Sequence, residues 1–235
     1  MPLLAPMSTI AGQLAFVVGS YHLLKHNKGK GVMIGHMDDM DPRVVTVIGA
    51  GVAGTQSILK AIDNKALVKV VDSSQSKLDD LKSKYGTENV EYILSSKDSI
   101  QVSVNESDLV IGSVYVVGKE APKVVTKDML SSMNPGTVMV DVSIDQGGCF
   151  ETSKPTTHDS PTFLENDIVH YCVTNMPGAV PLTATEALNK VSLSYVEKLA
   201  NNGIQNALDS DEHLRNGLNI LDGRIVHPGV KEALE

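Results

Sequence analysis

An α/β protein with a doubly wound parallel sheet is what this sequence predicts, and three observations predict it. Short apolar runs alternate with helical stretches from Val44 to Val173, the pattern of consecutive β-α-β units. The first run leads directly into the glycine turn Gly49-Ala50-Gly51-Val52-Ala53-Gly54. The second is followed by Asp72, about 20 residues beyond that turn, where a strand-end carboxylate can face it.

The elements follow in order. Ser8 reads as the N-cap of a leading helix in which Ile10, Leu14, Val17, Tyr21 and Leu24 recur at helical spacing. Its other side carries Ala11, Gly12, Ala15 and Gly19. Interior glycines cost a helix about 1 kcal/mol each, so this face points to close approach of another backbone. Residues 10–24 are too short and too interrupted to span a bilayer. The start, Met1-Pro2-Leu3-Leu4, lacks the basic region of a signal peptide. A polar segment and a loop then run to Pro42. Strands are expected at 44–48, 67–71, 90–94, 109–114, 137–140 and 169–173, the last closing the sheet. Helices are expected at 53–62, 76–85 and 127–133. After Pro181 the chain reads as helical, longest at 183–199, and as short and irregular from Gly217.

Composition narrows the function classes. A net charge of −8 repels polyanions and anionic lipid, and only 4% aromatics with no Trp leaves little to stack on bases. Neither nucleic acid nor membrane is therefore an expected partner. Cys149 and Cys172 show no paired or zinc-type spacing, which fits a reducing, cytoplasmic setting.

The glycine turn has a definite chemistry. Gly49 permits the sharp strand-to-helix turn, Gly51 lets a pyrophosphate reach the backbone, and Gly54 lets helix and strand pack closely. The helix N-terminus then offers amide donors and a positive dipole end to phosphate. Asp72 can accept both hydroxyls of an adenosine ribose. A 2′-phosphate there would meet that carboxylate at about 4 Å, a repulsion of about 4 kcal/mol per charge pair, so NAD is expected over NADP. The fold is thus expected to be a Rossmann-type doubly wound parallel sheet.

A second segment, Val138-Met139-Val140-Asp141-Val142-Ser143-Ile144-Asp145-Gln146-Gly147-Gly148, carries Asp145 to the carboxyl end of a strand, where ligands of open α/β sheets bind. A carboxylate there can steady developing positive charge or relay a proton; it can equally just make the turn. Asn175-Met176-Pro177-Gly178 reads as a Pro-Gly turn. His22, His26, His36, His158, His170, His213 and His227 form no metal or base-nucleophile pattern and read as surface or packing residues. Met7, Met33, Met37, Met40 and the other methionines read as core filler.

Taken with Leu3-Leu4-Ala5-Pro6-Met7-Ser8-Thr9-Ile10-Ala11-Gly12, the glycine turn, Asp141 to Gly148 and Asn175-Met176-Pro177-Gly178-Ala179-Val180-Pro181 resemble bacterial alanine dehydrogenase over essentially the whole chain. The resemblance implies oxidation of L-alanine by NAD and water to pyruvate and ammonia through an iminium, in a homo-oligomer, usually a hexamer. It implies NAD contacts at Ser8, Val52, Ala53, Asp72, Lys77, Ser95, Val114, Tyr115, Val142, Asn175 and Met176, with Ser143, Ile144 and Val173 beside them in the same segments. Asp145 matches the family's catalytic aspartate.

The departures have consequences too. Family members begin with a substrate domain supplying a catalytic His, a Lys and an Arg, and about the first third of that pattern is absent. Residues 1–181 would then be the NAD-binding domain with its leading helix, and 182–235 a helical remnant of an incomplete substrate domain. The only arginines are Arg43, Arg215 and Arg224, none obviously placed to hold a substrate carboxylate. Lys154 stands where some relatives have an arginine, and Lys198 and Asn202 where some have metal ligands, so no metal is expected. Three readings follow: an alanine dehydrogenase completed by a separate fragment, an NAD-binding and oligomerising module without catalysis, and, third, the NAD-binding part of a transhydrogenase. Lacking a partner domain, the small-residue face of the leading helix and the tail after Pro181 are expected to expose apolar surface.

Overall fold

The computed structural model describes residues 3–35, 37–116 and 120–234. Its centre is a seven-stranded sheet in the order β3-β2-β1-β4-β5-β7-β6. The strands are β1 (Val44–Ile48), β2 (Leu67–Asp72), β3 (Val90–Leu94), β4 (Leu109–Gly112), β5 (Val138–Asp141), β6 (Thr162–Glu165) and β7 (Ile168–Tyr171). All pair in parallel except β6, which runs antiparallel to β7 at the edge. The chain runs outward from β1 to β3, then returns to place β4 on the other side of β1. The strand order reverses there, between β1 and β4.

Both faces of the sheet are covered, which is why its strands are apolar at successive positions. Val45, Val47, Val68, Val70, Leu109, Ile111, Val138 and Val140 face α1 (Ala5–His22), α2 (Val52–Asp63) and α3 (Gln75–Tyr85). Ile48, Val71, Val110 and Met139 face α4 (Lys97–Glu106) and the 3₁₀ turn Lys127–Ser132. The small-residue face of α1 is buried. A Cβ on Gly12 would lie 2.0 Å from the Ala53 carbonyl, and one on Gly19 would strike Leu109. The Ser57 hydroxyl donates to the Gly12 carbonyl at 2.7 Å.

Several expectations are corrected. Ser8 is not the N-cap: α1 begins at Ala5 with Leu4 before it, because Pro6 fits a first turn where its missing N–H is not needed. The Ser8 amide instead donates to the Leu4 carbonyl at 3.0 Å. The small-residue face of α1 is not exposed, since α2 and the sheet cover it. The parallel sheet carries one added antiparallel strand, β6, at the edge opposite β3, joined to β7 through Asn166 and Asp167, both at positive φ. Helix α4 was not expected, although Ser96 and Ser99 form a reciprocal capping box ahead of Ile100 and Val104. The tail is not irregular. From Gly217, just after the short helix α6 (Glu212–Asn216), it holds the hairpin β8 (Ile220–Leu221) and β9 (Arg224–Ile225), and α7 (Pro228–Leu234). Before it comes α5 (Pro181–Ser210), broken at Gly203. Met129, Met133, Met139 and Met176 are core residues, but Met33, Met37 and Met40 are about half exposed on a loop outside the sheet. His36 and the first two residues, Met1 and Pro2, lie outside the described residues.

Candidate functional site: the crevice at the carboxyl ends of the strands

The glycine turn sits at the strand-order reversal, and each glycine meets a different constraint. Gly49 has φ +98°, and a Cβ there would lie 2.6 Å from the Ser113 carbonyl of the strand-end segment after β4. The Ser113 hydroxyl donates to the Gly49 carbonyl at 2.7 Å, fixing the two strand ends together. A Cβ on Gly54 would lie 1.8 Å from the Gly49 carbonyl, so helix and turn can approach only without it. Gly51 is different: nothing lies within 4 Å of where its Cβ would stand. The turn is packed on two sides and open on the third. Gly51 also precedes α2 with no side chain capping that N-terminus and no acidic residue in its first turn. The helix thus keeps its first amides free for an anion.

Asp72 lies across the turn at the end of β2 and is buried. One carboxylate oxygen accepts from the Ala50 amide at 2.7 Å, the other from the Ser74 amide at 2.8 Å. Each oxygen retains a further lone pair, so these bonds hold the turn without exhausting the carboxylate. Lys77 Nζ is 3.9 Å from it, and the Ser95 amide donates to the Asp72 carbonyl at 2.9 Å.

The other half of the crevice follows β4, β5 and β7. Val114 is half-buried and Tyr115 exposed after β4. After β5, Val142 and Ser143 lead into the 3₁₀ turn Ile144–Gln146, which carries Asp145 exposed at the rim. Among the described residues the Asp145 carboxylate makes no hydrogen bond. Asn175 follows β7 in the left-handed region (φ 54°, ψ 53°) and opens the 3₁₀ turn Met176–Ala179. Ile144, Val173 and Met176 are buried beneath the crevice floor. Ser8 lies one turn before the Gly12–Ala53 contact.

In the sequence Asp141 stands only as one member of its segment, His158 reads as a surface or packing residue, and Ser113 carries no local signal. The carboxylate of Asp141 accepts the amides of Ser143 at 3.0 Å and Cys149 at 2.8 Å. The His158 Nε2 lies 3.2 Å from the Asn175 carbonyl. The nearby Gly147-Gly148 pair, both at positive φ, was the visible trace of the Asp141 loop. Among the described residues no His, Cys, Asp and Glu group could hold a metal ion. Lys154 pairs with Glu165 at 3.9 Å and lies over the Phe163 ring. Arg43 precedes β1 at the opposite end of the sheet, and Arg215 and Arg224 lie in α6 and β9.

Fold and crevice together define a Rossmann-type dinucleotide-binding protein. The chain belongs to the alanine dehydrogenase/PNT C-terminal domain family, whose model matches residues 15–228. It is 48% identical over 99% of its length to alanine dehydrogenase of Halomonas elongata, spanning 62% of that protein. To the Mycolicibacterium smegmatis alanine dehydrogenase it is 46% identical, spanning 63%. A solved L-alanine dehydrogenase superposes with a TM-score of 0.95 at 43% identity, covering 99% of this chain and 64% of that one. A Sinorhizobium meliloti transhydrogenase, at 21% identity and a TM-score of 0.81, shares the fold.

Proposed function

We propose that this chain is the NAD-binding part of an alanine dehydrogenase, which converts L-alanine, NAD and water to pyruvate, ammonia and NADH. The observation that carries the reading is the glycine turn, open only at Gly51 and faced by the buried Asp72 carboxylate. Gly51 and the amides of Val52 and Ala53 meet the pyrophosphate, and Asp72 the adenosine ribose. Lys77 and Ser95 border the adenosine end, and Val114, Tyr115, Val142 and Asn175 the nicotinamide end. Bound NAD supplies the hydride acceptor. Asp145, exposed at the rim, steadies positive charge developing beside it. Residues 1–181 form this domain and 182–235 belong with the substrate-binding part. The protein works in the cytoplasm as a homo-oligomer.

Holding the substrate carboxylate calls for a cation with fork geometry, and the arginines lie at the far end of the sheet or beyond the long helix. The chain by itself therefore binds NADH without oxidising alanine. That placement also favours a second reading, a binding and oligomerising module. The test is an NADH fluorescence titration, followed by an NADH-absorbance assay with L-alanine. The assay is run with and without the amino-terminal third of the Halomonas elongata enzyme. Turnover only in the mixture, abolished by Asp145→Asn, supports the first reading; binding without turnover in either arm leaves the module. A chain that binds no NADH overturns both.

A further inference from the structure

The most enclosed carboxylate near the crevice contributes nothing to its surface. Asp141 ends β5 with 0% exposure. A charge in such a place is costly unless hydrogen bonds replace its water. One of its oxygens accepts from the Ser143 amide at 3.0 Å and the Cys149 thiol at 3.4 Å. The other accepts from the amides of Cys149 at 2.8 Å and Phe150 at 3.2 Å, and from the Ser153 hydroxyl at 2.6 Å. Burial, then the Asp141 charge, pushes the Cys149 thiol well up, so it keeps its proton and donates.

The placement of these donors matters more than their number. Ser143 begins the loop that carries Asp145, and Cys149 and Phe150 end it, so a single carboxylate closes the loop at its base. A Cβ on Gly148 would stand 2.8 Å from the Asp141 carboxylate, which leaves this approach to glycine. Two further links run outward. The Ser143 hydroxyl donates to the Val114 carbonyl at 2.8 Å, reaching the segment after β4. Ser153 accepts from the Cys172 thiol at 3.7 Å, reaching the segment that continues into Val173 and Asn175. Burial pushes the Cys172 thiol up to about 12, so it too stays protonated as a donor.

We propose that Asp141 is a positioning residue: its buried carboxylate holds the segments after β4, β5 and β7 in register, and so places Asp145 and its neighbours against the nicotinamide half of the cofactor. This rests on the reading of the crevice as an NAD site. It adds that the two halves of that site are organised separately, the adenosine half by Asp72 and the nicotinamide half by Asp141.

ADP-ribose separates the halves, since it carries the adenosine and pyrophosphate but no nicotinamide. The full chain is titrated with ADP-ribose and with NADH, and its melting curve is recorded alongside. Asp141→Asn keeps the shape but turns an N–H₂ toward groups that donate. The expected result is about a tenfold loss of NADH affinity, what one or two net hydrogen bonds are worth, with ADP-ribose affinity unchanged. Ser153→Ala removes one donor only and serves if Asp141→Asn does not fold. It should lower the same ratio by a few-fold. A folded variant in which both ligands weaken equally, or neither weakens, overturns the inference. A parent chain that binds neither ligand overturns the NAD reading and this inference with it.

Discussion

His170 is fully enclosed, its Nδ1–H donating to the Ile168 carbonyl at 3.1 Å and its Nε2 accepting from the Thr152 hydroxyl at 2.8 Å. Burial holds its pKa below the ordinary 6.5, and burial does the same to His22, packed on Tyr171. A histidine kept neutral by folding contributes stability fully above its unfolded value, and that stability is lost as pH falls from 6.5 toward the depressed folded value. The window lies above the range where Glu165 and Asp211, held low chiefly by hydrogen bonds from Lys127 and Lys198, begin to take protons. Thermal melts from about pH 8 down to pH 5 should show a falling midpoint. His170→Gln should flatten that slope; a parent midpoint independent of pH would remove the argument. Asp72 is the other residue with a measurable consequence. Asp72→Asn keeps the size but removes the charge, so the preference for NADH over NADPH should collapse. Lost repulsion of about 4 kcal/mol per charge pair at close range sets the upper bound. Because one of the Ala50 and Ser74 amides would then face an N–H₂ in place of its acceptor, NADH itself should weaken. Parallel titrations with both dinucleotides measure this, and an unchanged preference would show that Asp72 does not face the ribose.

At the scale of elements, the glycine turn and α2 separate binding from folding. Gly51 has φ −79°, which any residue adopts, and open space at its Cβ position. Gly51→Val should leave the melting temperature within a few degrees of the parent and abolish NADH binding, because the branched side chain stands where the pyrophosphate must meet the backbone. Gly54→Val puts atoms onto the Gly49 carbonyl and should destabilise the fold by about 1–3 kcal/mol or more, the usual penalty of overpacking. Urea denaturation compares the two. A Gly51→Val protein that binds NADH like the parent would show that the open side of the turn is not the phosphate site. Helix α4 and strand β6 belong to this scale as well. Their local signals, a Ser-Ser capping box and an Asn-Asp turn, are weaker than glycine or proline punctuation.

For the molecule as a whole, apolar exposure is concentrated away from the crevice. Leu182, Leu193, Val196 and Ile204 of α5 are each more than half exposed, as are Val17 and Tyr21 of α1. Monomeric proteins seldom leave so much apolar side chain uncovered along one stretch of chain. The isolated chain should therefore self-associate, its mass by light scattering rising with concentration. The double substitution Leu193→Asp, Val196→Asp should reduce that rise. A constant monomer mass across the range would mean that the face is tolerated in water. No helix among the described residues is long and apolar enough to cross a membrane.

The sequence alone determined the α/β class, the place of the glycine turn between a strand and a helix, and the carboxylate at the end of β2. All of these rest on local periodicity and on spacings within one β-α-β unit, where chain connectivity forces neighbours together. The closeness of α1 to another backbone was legible too, because interior glycines are unfavourable unless something needs their space. What covers that face was not legible: Gly12 meets Ala53 across 40 intervening positions, a contact that only the crossing of two helices creates. The same holds for the keystone of the nicotinamide half. Asp145 stands out in the sequence because it follows a strand and precedes two glycines. Asp141, four residues earlier, looks like an ordinary strand end. Its importance comes from donors at Ser143, Cys149, Phe150 and Ser153 that converge only after the loop has folded back over β5, and from burial that makes each of them necessary.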